Sequence, residues 1–216
     1  MNYFIIGKNL ITPMHICFLG EISTKQVSVG GIGTLTANLI PELIKQGFHI
    51  SAIGFQKQHN PIETELADGY TIHWINTLQW GIFRSIKKII DTNRIIKQLH
   101  AKQNIDIIDS AEGGFFMINK IKGIQFVVRL HGGHLFFARS TSDTSLNMKS
   151  LFIERNSLKK ADAIIGVSQY VWNITAKYYP WLQTLPHQII PNLIVLENFY
   201  ASDSNKVVPD TILFFG

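Results

Sequence analysis

Short apolar runs alternate along this chain with longer stretches in which apolar residues return every three or four positions. The run His15–Gly20 predicts a buried strand, and Leu35, Leu39, Ile40, Leu43 and Ile44 then share one helical face. Gly47 follows that face where a helix C′ glycine is expected, and Pro41 inside it predicts a kink rather than a break, although an interior proline costs about 3 kcal/mol. Strands are predicted at Phe48–Phe55 and, after a polar loop through Asn60-Pro61, at Tyr70–Trp74. A long helix is predicted over Ile82–Lys102, with Phe83, Ile86, Ile89, Ile90, Ile96 and Leu99 inward and Arg84, Lys87, Lys88, Arg94 and Lys97 on the other face. A strand at Ile105–Asp109, the turn Ser110–Gly114 and a short helix from Phe115 come next. The strand Ile124–Leu130 is followed by a helix at Ser150–Lys160 and a strand at Ala163–Val167. Ser168 is placed to cap a helix reaching Tyr179, and Gln188–Ile190 reads as a further short strand.

Strands and helices in this alternation imply an α/β architecture: a Rossmann-like, doubly wound parallel sheet with helices on both faces. Right-handed crossovers then bring every strand-to-helix loop to one edge. Two glycine-rich stretches fall there. Gly30-Gly31-Ile32-Gly33 stands between the first strand and the first helix, and His131-Gly132-Gly133 follows the strand ending at Leu130. Glycines admit a ligand close to the main chain, and free N–H groups at a helix start favour an anion. Together they point to one crevice for a polar ligand. Met14 reads as a natural start, which makes residues 1–13 an extension and 14–200 the main domain. Ala201–Pro209 reads as a polar linker, and Thr211–Gly216 as the first strand of a further domain.

Of the 216 residues, 46% are hydrophobic and 16% charged, which excludes a disordered chain. No apolar run approaches the ~20 residues of a membrane span, and residues 1–13 lack a signal-peptide cleavage pattern. The single cysteine, Cys17, excludes an internal disulfide and suits a reducing, cytoplasmic compartment. A net charge of +5 is compatible with nucleic acid, an anionic membrane surface, phosphate-bearing substrates, or no specific partner.

A dinucleotide fingerprint does not fit: its third glycine would fall on Thr36, and Phe55-Gln56-Lys57 stands where a ribose-binding acid belongs. An oxidoreductase or epimerase is therefore disfavoured. His131, at a strand end, can hydrogen-bond a sugar hydroxyl or a phosphate oxygen, or be satisfied by a backbone carbonyl. His131 and His134 lack the further ligands that a metal site needs. Glu112 is placed either to face the crevice and accept hydroxyls or to cap the following segment. The helix from Ile82 can pack on the sheet or lie against anionic lipid. Trp74, Trp80, Trp172 and Trp181 suit a core or a stacking surface.

Five segments carry a resemblance to a known family. They are Gly30-Gly31-Ile32-Gly33; Asp106-Ile107-Ile108-Asp109-Ser110-Ala111-Glu112; Val127-Val128-Arg129-Leu130-His131-Gly132; residues 154–168, from Glu154 to Ser168; and Ile189-Ile190-Pro191-Asn192. In this order and spacing the chain, from about Met14 onward, resembles the amino-terminal half of family 4 retaining glycosyltransferases, which have the two-domain GT-B fold. The resemblance implies sugar transfer from a nucleotide-sugar donor to a glycan or lipid-linked acceptor, with retention of configuration. It implies no metal and no cofactor beyond that co-substrate, and no nucleic acid. His131 would lie beside the transferred sugar as the catalytic candidate. Gly30, Gly31, Gly33, Glu112, Gly132 and Ser168 are the candidate substrate-binding residues. Surface polysaccharide synthesis at the inner face of the membrane is the setting it suggests. The chain departs from the family at Leu193-Ile194-Val195, where members usually have a glycine and then a hydrophobic–acid pair. Most donor contacts in the family belong to a second domain, so the chain alone is expected to be inactive. A non-catalytic nucleotide- or sugar-binding module is the alternative.

Overall fold

The computed structural model describes residues 13–23, 30–59, 63–140 and 147–194. The expected extension before Met14, the linker and the strand at 211–216 lie outside the described residues, apart from Pro13. Eight strands form one sheet: β1 (His15–Gly20), β2 (His49–Gln56), β3 (Thr64–Ala67), β4 (Tyr70–Asn76), β5 (Ile107–Ala111), β6 (Gln125–Leu130), β7 (Ala163–Gly166) and β8 (His187–Ile189). Among the described residues five α-helices accompany them: α1 (Gly30–Lys45), α2 (Arg84–Gln103), α3 (His134–Ser140), α4 (Met148–Leu158) and α5 (Gln169–Tyr178). The spatial order is β3-β4-β2-β1-β5-β6-β7-β8, parallel throughout except for the antiparallel edge pair β3–β4. The chain winds one way from β1 through β2 and the other way from β5, so β1 is the switch point at which α/β sheets receive ligands.

The near-continuous apolar runs of the strands are explained by burial on both faces. Ile16 and Phe18 of β1 pack with Leu35, Leu39, Ile40 and Leu43 of α1. Cys17 and Leu19 point the other way, into a core with Ile96 and Leu99 of α2, Leu158 of α4 and Trp172 of α5. This is the doubly wound architecture that the sequence predicts. Helix α1 runs unbroken through Pro41. It ends on a Schellman motif: the Phe48 and Gly47 N–H groups donate to the carbonyls of Leu43 and Ile44, with Gly47 at a φ of 86°. Burial pushes the Cys17 thiol up to about 12, so it is an inert packing group.

Four expectations are corrected. Gly30-Gly31-Ile32-Gly33 is the first turn of α1 rather than a loop before it. The Thr34 and Thr36 hydroxyls donate to the Gly30 and Gly33 carbonyls, and buried Gly33, Leu35 and Thr36 draw that turn onto the sheet. The predicted helix over Ile82–Lys102 is a 3-10 turn over Leu78–Phe83, broken at Gly81, followed by α2 from Arg84. Phe83, Ile86 and Ile90 are each more than half exposed, while Thr92, Ile96 and Leu99 are buried. The helix thus has two apolar stripes, and the inner one includes a threonine that a hydrophobic pattern does not count. No helix forms from Phe115: its N–H donates to Ser157 Oγ, and the turn closes at Met117 with a φ of 56°. Finally, β3 was not anticipated. Its hairpin to β4 turns on Asp68-Gly69, both at positive φ, a signal that the sequence carries openly.

Gly54 on β2 shows how tightly the strands are filled, because a Cβ there would meet the Trp74 ring. Gly54→Ala is expected to lower stability by about 1–3 kcal/mol, as overpacking does, read as a drop in the urea midpoint at unchanged m-value.

Candidate functional site

A cavity of about 240 Å³ opens at the carboxyl edge of the sheet, at the switch point. Gly20 at the end of β1 and Glu21 just after it, Phe55 of β2, Ser110 and Ala111 of β5 and His131 after β6 line it. Helix α1 contributes Ile32, Leu35 and Thr36, and α2 contributes Lys88. Asp109 and Arg129 also line it, joined by a 2.7 Å ion pair with both side chains buried. Such a pair is costly to break from one side, because the remaining charge is stranded. Ser110 Oγ donates to the Leu19 carbonyl at 2.7 Å and ties β5 to β1 beside the opening.

The turn after β6 is built over two buried carboxylates. Glu112 Oε1 accepts the Gly132 N–H at 2.9 Å, and Glu154 Oε2 accepts the Leu135 N–H at 3.3 Å. Gly132 has a φ of 97°, and a Cβ on it would come within 2.9 Å of the Phe136 ring. A Cβ on Gly133 would lie 2.8 Å from the Glu154 carboxyl carbon. The glycine pair is therefore dictated both by its backbone and by what lies beneath it. Burial raises the pKa of Glu112 to about 7, with the Glu154 charge pushing the same way, and burial raises Glu154 as well. Burial lowers His131 to about 4, assisted by the Arg129 charge. At neutral pH its imidazole is uncharged, offering one hydrogen-bond donor and one acceptor to the cavity.

The structure brings His131 and the first helical turns of α1 to one cavity. Gly30, Gly31 and Gly33 stand in α1's opening turn, although Ile32 rather than a glycine lines the space. Gly132 forms the turn. Glu112 does not face the crevice, because desolvated amides under the turn capture its carboxylate. Ser168 Oγ accepts the Val171 N–H at 3.2 Å as the N-cap of α5, outside the cavity lining. The sequence pattern does not mark Asp109, Arg129 or Glu154 as site residues, and it sets Lys88 on the outward face of its helix, whereas Lys88 lines the cavity. The signal for two of them was present: an arginine within Phe126–Leu130 and an aspartate within Ile107–Ala111 are charges inside buried strands, which need a partner. Among the described residues no group of three or more His, Cys, Asp or Glu side chains is arranged to hold a metal ion.

A second cavity, of about 310 Å³, lies at the opposite, amino-terminal edge, lined by His49, Ser51, His73 and Lys102 among others. There His15 Nδ1–H donates to the Gln103 carbonyl and Nε2 accepts from Ser51 Oγ, which accounts for both ring nitrogens.

Residues 29–198 match the sequence model described as Glycosyltransferase Family 4. No curated protein matches the chain. Among solved structures it is similar to a sucrose-phosphate synthase from Thermosynechococcus elongatus, at 15% identity and a TM-score of 0.67 over 88% of this chain and 50% of that one. It is also similar to the catalytic domain of starch synthase IV from Arabidopsis thaliana bound to ADP and acarbose, at 9% identity and a TM-score of 0.57 over 87% and 53%. A third is a ugt transferase from Siraitia grosvenorii in complex with UDP, at 10% identity and a TM-score of 0.52 over 88% and 50%. The chain thus spans about half the length of these structures.

A carboxyl whose folded pKa is raised stabilises the fold fully below its ordinary value of 4.5 and loses that contribution as pH rises through about 7. Urea midpoints measured across this window should therefore fall with pH. In Glu112→Gln, which keeps an acceptor for Gly132, the total fall in stability across the window should shrink by up to about 3 kcal/mol, leaving the part due to Glu154. Glu112→Ala should cost about 1–3 kcal/mol near pH 5 by orphaning the Gly132 amide.

Proposed function

Because the chain belongs to glycosyltransferase family 4, we propose that its carboxyl-edge cavity takes part in moving a sugar from a nucleotide-sugar donor to a glycan or lipid-linked acceptor, with retention of configuration. The observation that carries this reading is the meeting of His131, the opening turns of α1 and the ends of β1 and β5 around one cavity. ADP with acarbose, and UDP, are bound by two of the structurally similar proteins, which supports a nucleotide and a sugar as the kinds of ligand.

In this reading the neutral His131 hydrogen-bonds a hydroxyl of the transferred sugar and orients it, without adding charge. Main-chain amides at the start of α1 and basic side chains meet the charge on the departing nucleotide, with no metal ion required. Glu112 acts through Gly132 as a positioning residue. Residues 14–200 form the amino-terminal, mainly acceptor-binding domain, and 201–216 lead into a second domain that completes the donor site.

The cytoplasmic face of a membrane is the proposed setting, in the synthesis of surface polysaccharide or glycolipid. No helix among the described residues is long and apolar enough to cross a bilayer. The exposed stripe of Phe83, just before α2, and Ile86 and Ile90 on it, with Arg94 and Lys97 also exposed on that helix, supports peripheral contact with anionic lipid.

In the protein that includes the second domain, His131→Ala is expected to lower kcat for sugar transfer by about tenfold or more, the scale of one lost transition-state hydrogen bond, with unchanged thermal stability. Nucleotide release from a panel of nucleotide sugars measures it, in the presence and absence of a chelator. Unchanged turnover removes His131 from the chemistry, and loss of turnover on chelation removes the metal-free mechanism. Co-sedimentation with anionic vesicles should fall on replacing Phe83 and Ile90 by serine. Equal retention of the variant would reduce the stripe to ordinary surface.

A further inference from the structure

The segment after His131-Gly132-Gly133 gathers aromatic rings from two elements. A Cβ on Gly132 would lie 2.9 Å from the Phe136 ring and 3.5 Å from the Phe137 ring, so both residues of α3 stand against the turn that presents His131. The Phe136 ring meets two others edge to face, with centroids 5.5 Å apart in each case: Phe137 at 77° and Tyr170 at 83°. Tyr170 stands in the first turn of α5, just past the end of β7, and so at the same carboxyl edge of the sheet as the cavity. Half-buried Phe136 thus braces Phe137 and Tyr170, which are 57% and 58% exposed.

Packing accounts for Phe136, which fills the space beside Gly132. It does not account for two outward rings held on a third, since each leaves apolar area in water that burial would stabilise. The same two helices are otherwise polar and nearly uncharged here. His134, Gln169 and Asn173 are exposed, with Gln169 Nε2 donating to Asn173 Oδ1 at 2.7 Å. Arg139 is the one Asp, Glu, Lys or Arg of α3, and its guanidinium lies 4.8 Å from the centroid of the Tyr178 ring. The exposed stripe of α2 differs, because Ile86 and Ile90 are aliphatic and share their helix with exposed cations, a pattern that suits lipid. Fixed aromatic faces beside neutral hydrogen-bonding groups suit a ligand with a C–H face and a hydroxyl rim, which describes a sugar ring. We propose that Phe137 and Tyr170, braced by Phe136, form a stacking platform for a sugar unit of the acceptor other than the one that receives the transferred sugar. The platform adjoins the turn carrying His131, so a neutral oligosaccharide can reach it from the cavity. This rests on the sugar-transfer reading for the word acceptor, whereas saccharide binding on the rings does not need transfer to occur.

The test titrates the full chain with glucose, with the trisaccharides maltotriose, cellotriose and chitotriose, and with UDP, read by NMR. It is repeated for Phe137→Ala, Tyr170→Ala, Tyr170→Phe and, as a control at an exposed ring on α4, Phe152→Ala. Phe137→Leu and Tyr170→Leu are added because they keep apolar bulk and lose the flat face. At least one trisaccharide should bind, and more tightly than glucose. Its affinity should fall about three- to tenfold in the alanine and leucine variants of Phe137 and Tyr170, the scale of one aromatic contact. It should persist in Tyr170→Phe and Phe152→Ala. Failure of every trisaccharide, equal loss in Phe152→Ala, or loss confined to UDP, which would make the rings a nucleobase platform, overturns the proposal. Nucleotide release by the protein that includes the second domain separates the two claims. Release without trisaccharide binding overturns the platform and leaves transfer standing. Trisaccharide binding that weakens in the leucine variants, with no release from any donor, keeps the platform and overturns transfer.

Discussion

A buried carboxylate accepting one backbone N–H fixes the geometry on which the rest of this protein depends. Glu112 spends its charge on the Gly132 amide, within a desolvated layer shared with Glu154. The turn above has no room for side chains at its two glycines, so the path from Leu130 through His131 into α3 has little freedom. The imidazole is thereby presented to the cavity by backbone geometry, not by a side-chain relay. The arrangement is expensive in isolation, since burial opposes ionisation of both acids. It is sustained because each carboxylate satisfies amides that would otherwise be orphaned.

The sheet supplies the other half of the site. Placing β1 between β2 and β5 opens a gap at their carboxyl ends, and the opening turns of α1 reach into it. The buried Asp109–Arg129 pair lines the gap and puts a compensated charge near His131, enough to help keep the imidazole neutral. Polarity is thus graded around the cavity. The β5–β6 wall is internally balanced, while Lys88 of α2 makes no ion pair among the described residues and lies over the Phe55 ring.

Much of the fold was legible because two-sided burial writes itself as short apolar runs, and β1, β2, β5, β6 and β7 all lie where such runs predict. The caps at Gly47 and Ser168 were legible for the same local reason: backbone geometry chooses the residue. The inner face of α2 was not, since Phe83, Ile86 and Ile90 are as apolar as any core residue, and the partner they would need is not encoded locally. His131 at the strand end could be placed from order alone. The orientation of Glu112 could not, because it is decided by Glu154 and Gly132, forty-two and twenty residues away respectively. The charged residues of β5 and β6 announced a partner without saying that the two would choose each other.

The two cavities at opposite edges of one sheet allow a direct test of where ligand binds. Amide NMR spectra of the labelled protein, titrated with nucleotide sugars and sugar phosphates, report on both edges at once. Shifts concentrated at Ser110, Gly114, Gly132 and Gly133, with Ser51, Thr71 and Gln103 unmoved, are the expected result. Shifts confined to the edge of Ser51 and Gln103, with the carboxyl edge silent, would contradict the assignment of the site.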